Sequence, residues 1–419
     1  MLAGCTGTST PGPSSTGSGS FSAASIATIA DYTGSKPGKA DPKLSPVTWG
    51  YVNQQGGAAS YPQYTVAMTG LVKMVNDQLG GIGGHPLKLD TCFVVSSDED
   101  GQTCGQQFVN DKAIQAIVQF PLISGSDAFH KIIDPSGIPL FGAVPASFTD
   151  AAGPSFYVSG SNFSTVPIIT GYTAQTLKAK SIALIGVQGN PISQLVTGQL
   201  TAGLKAAGIS VKQGDISATS SDVTAPLIAS GAKSADAIVA LLPTTSQCVN
   251  VNQALKSLSI TKPVISIGQC ATDDAKKAIG DYPKWTFIFG YPNALAAPLD
   301  SRETDEVAVA KNLVTATGAA NAETLDGEQA LQTFLTALKM VNAGGAATAT
   351  KATVKSAALA FKGPMFLGPD TVAWGSLKGT PAVATLSQRL YTYTGNGMWV
   401  DAGKGWFAVG SLPGPPPAP

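Results

Sequence analysis

Cysteine has the widest chemistry in this chain, because a thiol can form a disulfide, bind a metal or act as a nucleophile. The 419-residue sequence contains Cys5, Cys92, Cys104, Cys248 and Cys270. By subtraction, the second and third are 12 positions apart and the last two are 22 apart. Neither pair has the CxxC spacing of zinc sites. The spacing favours disulfides Cys92–Cys104 and Cys248–Cys270, each stabilising by about 3 kcal/mol, over four free thiols, and it predicts an oxidising compartment.

Motifs for catalysis are otherwise absent from the sequence. There is no GxxxxGK[ST], HExxH or GxSxG. Of the two histidines, His85 lies in a Gly-Gly-His-Pro turn and His130 lies on an amphipathic stretch, where a turn or surface role outweighs a catalytic one. The neighbouring acids Asp273 and Asp274 precede a helix and favour its positive end. We therefore expect no enzyme, no metal site and no cofactor.

The charge balance narrows the possible partners. Lys and Arg number 26, as do Asp and Glu, and charged residues make up only 12% of the chain. A nucleic-acid binder depends on an excess of positive charge, so that class is excluded. The 43% hydrophobic content supplies ample core, and the length suits two or three domains. No run of about 18 apolar residues occurs, so we expect no membrane-spanning segment.

The two ends of the chain differ in composition from its body. Residues 1–5, Met-Leu-Ala-Gly-Cys, resemble the lipobox of bacterial lipoproteins, in which a lipid is attached to the cysteine, here Cys5. Residues 6–24 are nearly all Ser, Thr, Gly, Pro and Ala, which is typical of a flexible tether. We expect residues 1–43 to be a lipobox remnant and tether, and residues 411–419 to be a Pro-rich tail.

Between these ends, short apolar runs alternate with amphipathic stretches. In the first half, strands are predicted at 47–52, 87–95, 114–119 and 138–143, with helices near 64–79, 102–110 and 126–136. In the second half, strands are predicted at 181–187, 209–212, 237–242, 263–267 and 285–289, with helices between them. Two longer helices follow, and the aromatic-rich end from residue 361 predicts short strands. The pattern indicates two tandem α/β units with parallel sheets.

Several ordered segments carry a resemblance to a known family. Residues 75–89, VNDQLGGIGGHPLKL, resemble the N-x-x-GG-I-x-G-x-x-L segment of the leucine/isoleucine/valine-binding family, the type I periplasmic solute-binding proteins of ABC transporters. Residues 111–118, 136–141, 361–364 and 372–374 agree with the same family in order. The resemblance spans about residues 44–410.

This resemblance implies an α/β fold of two Rossmann-like lobes with parallel sheets, joined by a three-strand hinge that closes on a ligand. Lobe one would comprise residues 44–161 and 292–362, and lobe two residues 162–291 and 363–410. The implied partners are a small-molecule ligand, ABC permease subunits and, through Cys5, the outer face of the cell membrane. We expect a lipid-anchored monomer there.

The ligand is expected where the carboxyl ends of the strands in the two lobes face each other. The loops at these ends supply the candidate residues Gln54, Tyr61, Phe120, Ser124, Ser126, Pro145, Ser147, Asn190, Thr244 and Gln269. In the family, hydroxyl and backbone groups of two such loops hold a ligand carboxylate, and Ser124, Ser126 and Ser147 match those positions best. For Ser126, helix N-capping is an equally good interpretation.

The second-lobe loops depart from the family pattern. Amino-acid binders carry an acidic residue in the third loop, where it pairs with the ligand's ammonium, but this chain has Gln269 there. An unpaired buried ammonium is costly. The sequence therefore predicts an importer subunit for a branched-chain amino acid-like solute or, more specifically, for a small carboxylate or amide without an ammonium. A ligand sensor of the same fold that performs no transport is the alternative, and an enzyme ranks third.

Overall fold

The computed structural model describes residues 19–57, 60–160, 162–188, 191–217, 221–317 and 326–408. Its strands are β1 (Val47–Gln54), β2 (Leu87–Val94), β3 (Ile114–Gln119), β4 (Leu140–Gly142), β5 (Phe156–Tyr157), β6 (Ser181–Val187), β7 (Ser210–Ile216), β8 (Ala237–Ala240), β9 (Val264–Ile267), β10 (Thr286–Phe289), β11 (Arg389–Gly395) and β12 (Met398–Asp401). Its α-helices are α1 (Ala23–Thr33), α2 (Pro62–Gln78), α3 (Asp98–Asn110), α4 (Ser126–Ser136), α5 (Phe148–Ala152), α6 (Asn162–Gly171), α7 (Pro191–Ala206), α8 (Thr224–Ala229), α9 (Thr245–Ser257), α10 (Asp273–Ile279), α11 (Ser301–Thr317), α12 (Asp326–Ala343) and α13 (Lys351–Ala360).

Lobe one is built on a five-stranded sheet in the order β2-β1-β3-β4-β5, and every pairing in it is parallel. All eight residues of β1 are buried, as expected for a central strand covered on both faces. Helices α2 and α12 cover one face, with α1, α11 and α13 packed outside them. Helices α3 and α4 cover the other face. The lobe is thus a three-layer α/β/α unit.

Lobe two has a seven-stranded sheet in the order β12-β11-β10-β9-β8-β6-β7. Strands β6 to β10 pair in parallel, whereas β11 and β12 form an antiparallel hairpin at one edge. Helices α6 and α7 pack on one face and α8, α9 and α10 on the other. The two units confirm the predicted fold class, in which two α/β lobes with mostly parallel sheets follow each other along the chain.

Both predicted disulfides are present. Cys92 of β2 is bonded to Cys104 of α3. Cys248 of α9 is bonded to Cys270, which lies in the 3-10 turn directly after β9. Each disulfide therefore ties a helix to its neighbouring strand within one lobe, and neither joins the two lobes.

Three chain crossings connect the lobes and lie against one another. The first follows Ser159, the second begins at Gly290 and the third ends at Gln388. Gln388 Nε2 donates to Ser159 Oγ at 3.3 Å. A methyl group at Gly290 would lie only 2.8 Å from Ser159 Oγ, so the first two crossings approach closely there and a larger residue would displace the Ser159 hydroxyl.

The third crossing lies later in the chain than the sequence predicted. Ala382 and Ala384 both bond to the backbone of Tyr157 in β5, at 2.7 and 2.9 Å, and Trp374 Nε1 donates to the Tyr157 carbonyl at 2.9 Å. Residues 363–384 therefore remain on lobe one, and the boundary predicted at residue 363 is wrong. The family resemblance implied three crossings. Residues 363–384 have no regular apolar pattern in the sequence, so the sequence did not show which sheet they join.

A second difference concerns the segment predicted as a tether over residues 1–43. Residues 23–33 form α1, whose N-cap Ser22 accepts a hydrogen bond from Ser25 N–H and whose Ile26 and Ile29 are buried. Helix α1 packs on α11 and α12. The prediction of a tether is therefore wrong for this helix. Its apolar residues, interspersed with Ala, Thr and Ser, gave only a weak helical pattern.

The chain has two arginines, and both tie helix α11 to the part of the chain between α13 and the start of β11. Arg389 is fully buried, and its Nη1 lies 2.5 Å from Glu303 Oε2 of α11. Its Nη2 lies 2.9 Å from Asp401 Oδ2 of β12. Because Glu303 belongs to lobe one and the other two residues to lobe two, this ion triad bridges the hinge. Within the described part of the chain, no helix is both long and apolar enough to span a membrane.

Replacing Arg389 by Met should destabilise the protein by about 3–5 kcal/mol, because the buried Glu303 and the partly buried Asp401 both lose their counter-charge. Urea unfolding followed by tryptophan fluorescence measures the loss. Lys73→Met is the control, since Lys73 and Asp77 form an exposed pair that should contribute less than about 1 kcal/mol. Equal, small effects of the two substitutions would contradict the importance of the triad.

Candidate functional site

A cavity of about 160 Å³ lies between the lobes beside the three crossings. Lobe two contributes Ile267 and Gln269 from the end of β9 and Phe289 from the end of β10. Lobe one contributes Val144 from the loop after β4 and Gln329 from α12. The volume equals that of about five liquid waters, so the cavity suits a small molecule. It lies at the carboxyl ends of strands, where open α/β sheets bind their ligands.

The polar groups of this cavity are amides and hydroxyls. The residues that supply them are Ser159, Thr165, Gln269, Tyr291, Gln329 and Gln388. Two of the glutamines are held in place, because Gln388 Nε2 donates to Ser159 and Gln329 Oε1 accepts a bond from the Tyr64 hydroxyl. The half-buried Gln269 makes no hydrogen bond to another described residue and is thus available to a ligand. Among the described residues that line the cavity, none is charged.

In lobe one, the Gln54 side chain has hydrogen-bond partners within the protein. Its side chain is buried, and its Oε1 accepts hydrogen bonds from the backbone N–H groups of Ile123 and Ser124 at 2.6 and 3.1 Å. These N–H groups belong to the loop that was expected to hold a ligand carboxylate. Gln54 therefore shapes this loop and occupies two of its donors. The Ser124 side chain is half-buried and has no hydrogen-bond partner among the described residues.

The other two predicted serines bond to carboxylates inside lobe one. Ser126 Oγ donates to Asp150 Oδ2 at 2.8 Å, and Gly125, not Ser126, is the N-cap of α4. The capping interpretation of Ser126 is therefore wrong. Ser147 is the N-cap of α5, where it accepts from the Asp150 N–H and donates to Asp127 Oδ1 at 2.7 Å. Both serines stabilise the loops around them.

The remaining predicted residues of lobe one are the aromatic or apolar residues Tyr61, Phe120 and Pro145. Phe120 is fully buried and stacks on Tyr64, with ring centroids 4.4 Å apart. Tyr61 packs edge-on against Tyr64 at 6.3 Å. Pro145 is buried in the loop after β4. None of these predicted lobe-one residues lines the interlobe cavity.

Of the predicted lobe-two residues that the structure describes, one lines the cavity and one does not. Gln269 lines the cavity, and its neighbour Cys270 is disulfide-bonded to α9, which fixes the turn that carries Gln269. Thr244 is exposed, is the N-cap of α9 and does not line the cavity. Asn190 and the proposed lipid-attachment residue Cys5 lie outside the described residues.

Sequence reasoning missed most of the cavity. Ser159 and Gln388 lie on crossings, and Gln329 lies on a lobe-one helix far along the chain. The sequence prediction relied on polar residues in the loops after predicted strands. This criterion does not identify residues on the crossings or on helices. In the described residues, no group of three or more His, Cys, Asp or Glu side chains is arranged to hold a metal ion.

A buried network lies beneath the two loops of lobe one. His130 is 1% exposed, and its Nδ1 lies 3.0 Å from Asp134 Oδ1. Its Nε2 lies 2.9 Å from the Tyr157 hydroxyl and 3.1 Å from Gln119 Oε1. Asp150 Oδ1 lies 3.9 Å from the same nitrogen and has no hydrogen-bond partner. A protonated imidazole would donate from both nitrogens and balance the buried Asp150 charge.

The pKa values follow from this arrangement. Burial alone lowers the pKa of His130, but the hydrogen bond to Asp134 and the negative charge of Asp150 outweigh it, so the pKa is raised above its ordinary value. Burial raises the pKa of Tyr157 well above its ordinary value, and the neighbouring carboxylates raise it further. Asp150 also accepts from the N–H groups of Ala146 and Ser147, so the network holds the loop after β4.

Comparisons with known proteins agree with this architecture. The profile described as periplasmic binding protein matches residues 47–390, most of the chain. The chain therefore belongs to the periplasmic binding protein family, which consists of extracytoplasmic small-molecule-binding proteins and not of enzymes. No curated protein sequence matches it significantly.

Solved structures share the fold at low sequence identity. The branched-chain amino acid transporter substrate-binding protein LivJ from Streptococcus pneumoniae, in complex with isoleucine, is 15% identical with a TM-score of 0.66, covering 85% of this chain and 100% of that one. An ABC transporter substrate-binding protein from Sphaerobacter thermophilus is 15% identical with a TM-score of 0.68, covering 85% and 96%. A solute-binding protein from R. palustris, in complex with 4-hydroxybenzoate, is 16% identical with a TM-score of 0.66, covering 85% and 95%.

The raised pKa of His130 predicts a pH-dependent stability. In the unfolded chain the pKa of histidine is about 6.5. Below that pH the protonated His130 contributes its full stabilisation, and this contribution is lost as the pH rises through the higher pKa of the folded protein. Urea midpoints measured across this window should fall with pH, and His130→Gln should reduce the slope. Asp134→Asn should lower the His130 pKa in an NMR titration. An unchanged pKa in that variant would contradict the assignment.

Proposed function

We propose that this protein is the extracytoplasmic substrate-binding component of an ABC importer and that it binds a small solute without an ammonium group between its lobes. One observation carries the proposal, namely the uncharged cavity at the crossings, which is lined by glutamine amides and hydroxyls. Family membership supports the binding role, and the neutral lining supports the ligand class.

Binding would act through closure of the lobes. Gln269 approaches the cavity from lobe two and Gln329 from lobe one, while Gln388 and Ser159 lie on the crossings between them. A ligand that bonds to both lobes at once stabilises the closed arrangement relative to the open one. A permease would then recognise the closed form, and lipid attachment at Cys5 would keep the protein at the membrane.

The ligand class follows from what the cavity offers. An α-amino acid brings an ammonium, which would need a buried carboxylate to offset its loss of hydration. A carboxamide needs only donors and acceptors, and a carboxylate needs donors, which the amide side chains provide. The fold is compatible with both kinds of ligand, because one similar structure holds isoleucine and another holds 4-hydroxybenzoate. The uncharged lining favours a ligand without an ammonium, as in 4-hydroxybenzoate.

A thermal-shift screen tests the ligand class. The panel contains isoleucine, leucine, 4-hydroxybenzoate, benzamide and short aliphatic amides and carboxylates. We expect a carboxylate or amide to raise the melting temperature, since ligand at 100 times its Kd adds about 2.7 kcal/mol of stability. Calorimetry then gives the Kd. Tight binding of isoleucine or leucine would show that the ligand class is wrong.

Gln269→Leu tests the site with the ligand found in that screen. Loss of a hydrogen-bonding amide of similar size should weaken binding about tenfold, equivalent to about 1.4 kcal/mol. Thr244→Ala is the matched control, because Thr244 is exposed on the adjacent lobe-two loop and does not line the cavity. Unaltered affinity in the Gln269 variant would place the ligand elsewhere.

A further inference from the structure

A second cavity, of about 480 Å³, opens at the amino-terminal ends of the lobe-one strands. Its walls include Val47 and Ile114, the first residues of β1 and β3. The interlobe cavity lies at the carboxyl end of the same sheet, where Val144 follows β4, and β1 alone spans roughly 23 Å from its first to its last residue. Solute binding therefore does not explain this cavity.

Positively charged side chains line this cavity or lie beside it. Lys112 and Lys351 both line it, and Lys355 lies one helical turn beyond Lys351. The pKa of Lys351 is lowered, first by burial and then by the positive charges of the other two lysines. Lys112 Nζ donates to the neutral Val109 carbonyl at 2.9 Å. No ion pair among the described residues involves any of the three, so their charge is uncompensated.

The walls of the cavity are held by internal hydrogen bonds. Gln115 Nε2 donates to the carbonyls of Ala346 and Ala349 at 2.8 and 3.1 Å, which fixes the loop before Lys351. His85 Nδ1 lies 2.7 Å from the Ser45 carbonyl, so Nδ1 carries the proton and Nε2 is left for another partner. The lysines are thus presented on a rigid frame.

The surface beside the cavity is also basic. Lys36, Lys39 and Lys43 are exposed on the segment between α1 and β1. That segment is bonded to the turn before β2, where Asp41 N–H donates to the Gly84 carbonyl at 2.8 Å. The turn contains His85 of the cavity wall. In a chain with zero net charge, this edge of lobe one therefore concentrates positive charge.

We infer that this cavity binds a phosphate-type anion, either inorganic phosphate or the headgroup of an anionic phospholipid. A phosphate would relieve the mutual repulsion of Lys112 and Lys351 and accept hydrogen bonds from their ammonium groups. The adjacent exposed lysines would extend the contact over a negatively charged lipid surface. The inference does not depend on which solute binds in the cleft.

The test uses the full chain with Cys5→Ser, so that no lipid is attached. Sedimentation with phosphatidylcholine vesicles, with and without phosphatidylglycerol, measures headgroup binding, and calorimetry with sodium phosphate measures free phosphate. Lys112→Gln with Lys351→Gln should weaken vesicle binding about twenty-five-fold, because each lysine should contribute about fivefold. The matched control is Lys205→Gln with Lys233→Gln, two exposed lysines of lobe two. Circular dichroism and melting curves verify that both pairs fold.

Saturable binding to phosphatidylglycerol vesicles that only the cavity pair loses would identify a headgroup site. Saturable binding of sodium phosphate alone, lost in the same variant, would identify a free-phosphate site. Both results support the anion cavity. Equal loss in the control pair would show general surface attraction, and no binding of either probe would show an inert cavity. Either of these two results overturns the inference.

Discussion

The structure depends on a buried guanidinium at the hinge. Arg389 has no exposure to solvent, and its two terminal nitrogens contact carboxylates from different lobes, Glu303 and Asp401. The planar fork of arginine makes this possible, whereas a lysine ammonium is a compact point charge. Arg302, the other arginine of the chain, bonds to the carbonyls of Met365 and Gly368. Both arginines therefore fix the path of the chain between α13 and β11.

This constraint determines where the lobes can move. Separating Arg389 from Glu303 would leave buried charges unpaired, so any relative movement of the lobes would have to keep these two residues together. The ion triad thus ties the start of β11, directly after the third crossing, to lobe one. The first crossing is bonded to the third, since Gln388 donates to Ser159, and the second is in contact with the first at Gly290. The interlobe cavity lies directly beside these crossings.

Much of the fold could be predicted from the sequence, because alternating apolar runs report which residues are buried. Strands 114–119 and 181–187 have the predicted bounds, and both disulfides follow from spacing. The site was less predictable, because residue type does not reveal a partner. Ser126 was expected to bind a ligand or cap a helix, yet it bonds to Asp150. Gln269 was located because it directly follows a buried strand, a signal that Gln329 and Gln388 lack.

The late third crossing also protects the lobe-one sheet. A parallel sheet ends in strands whose outer N–H and C=O groups invite pairing with another chain. At β5, the segment that returns to lobe two covers this edge. Ala382 accepts a hydrogen bond from the Tyr157 N–H, and Ala384 N–H donates to the Tyr157 carbonyl. At the opposite edge, β2 carries the charged residues Lys88 and Asp90, which disfavour the addition of a further strand. The segment that returns the chain to lobe two thus also reduces the risk of edge-to-edge aggregation.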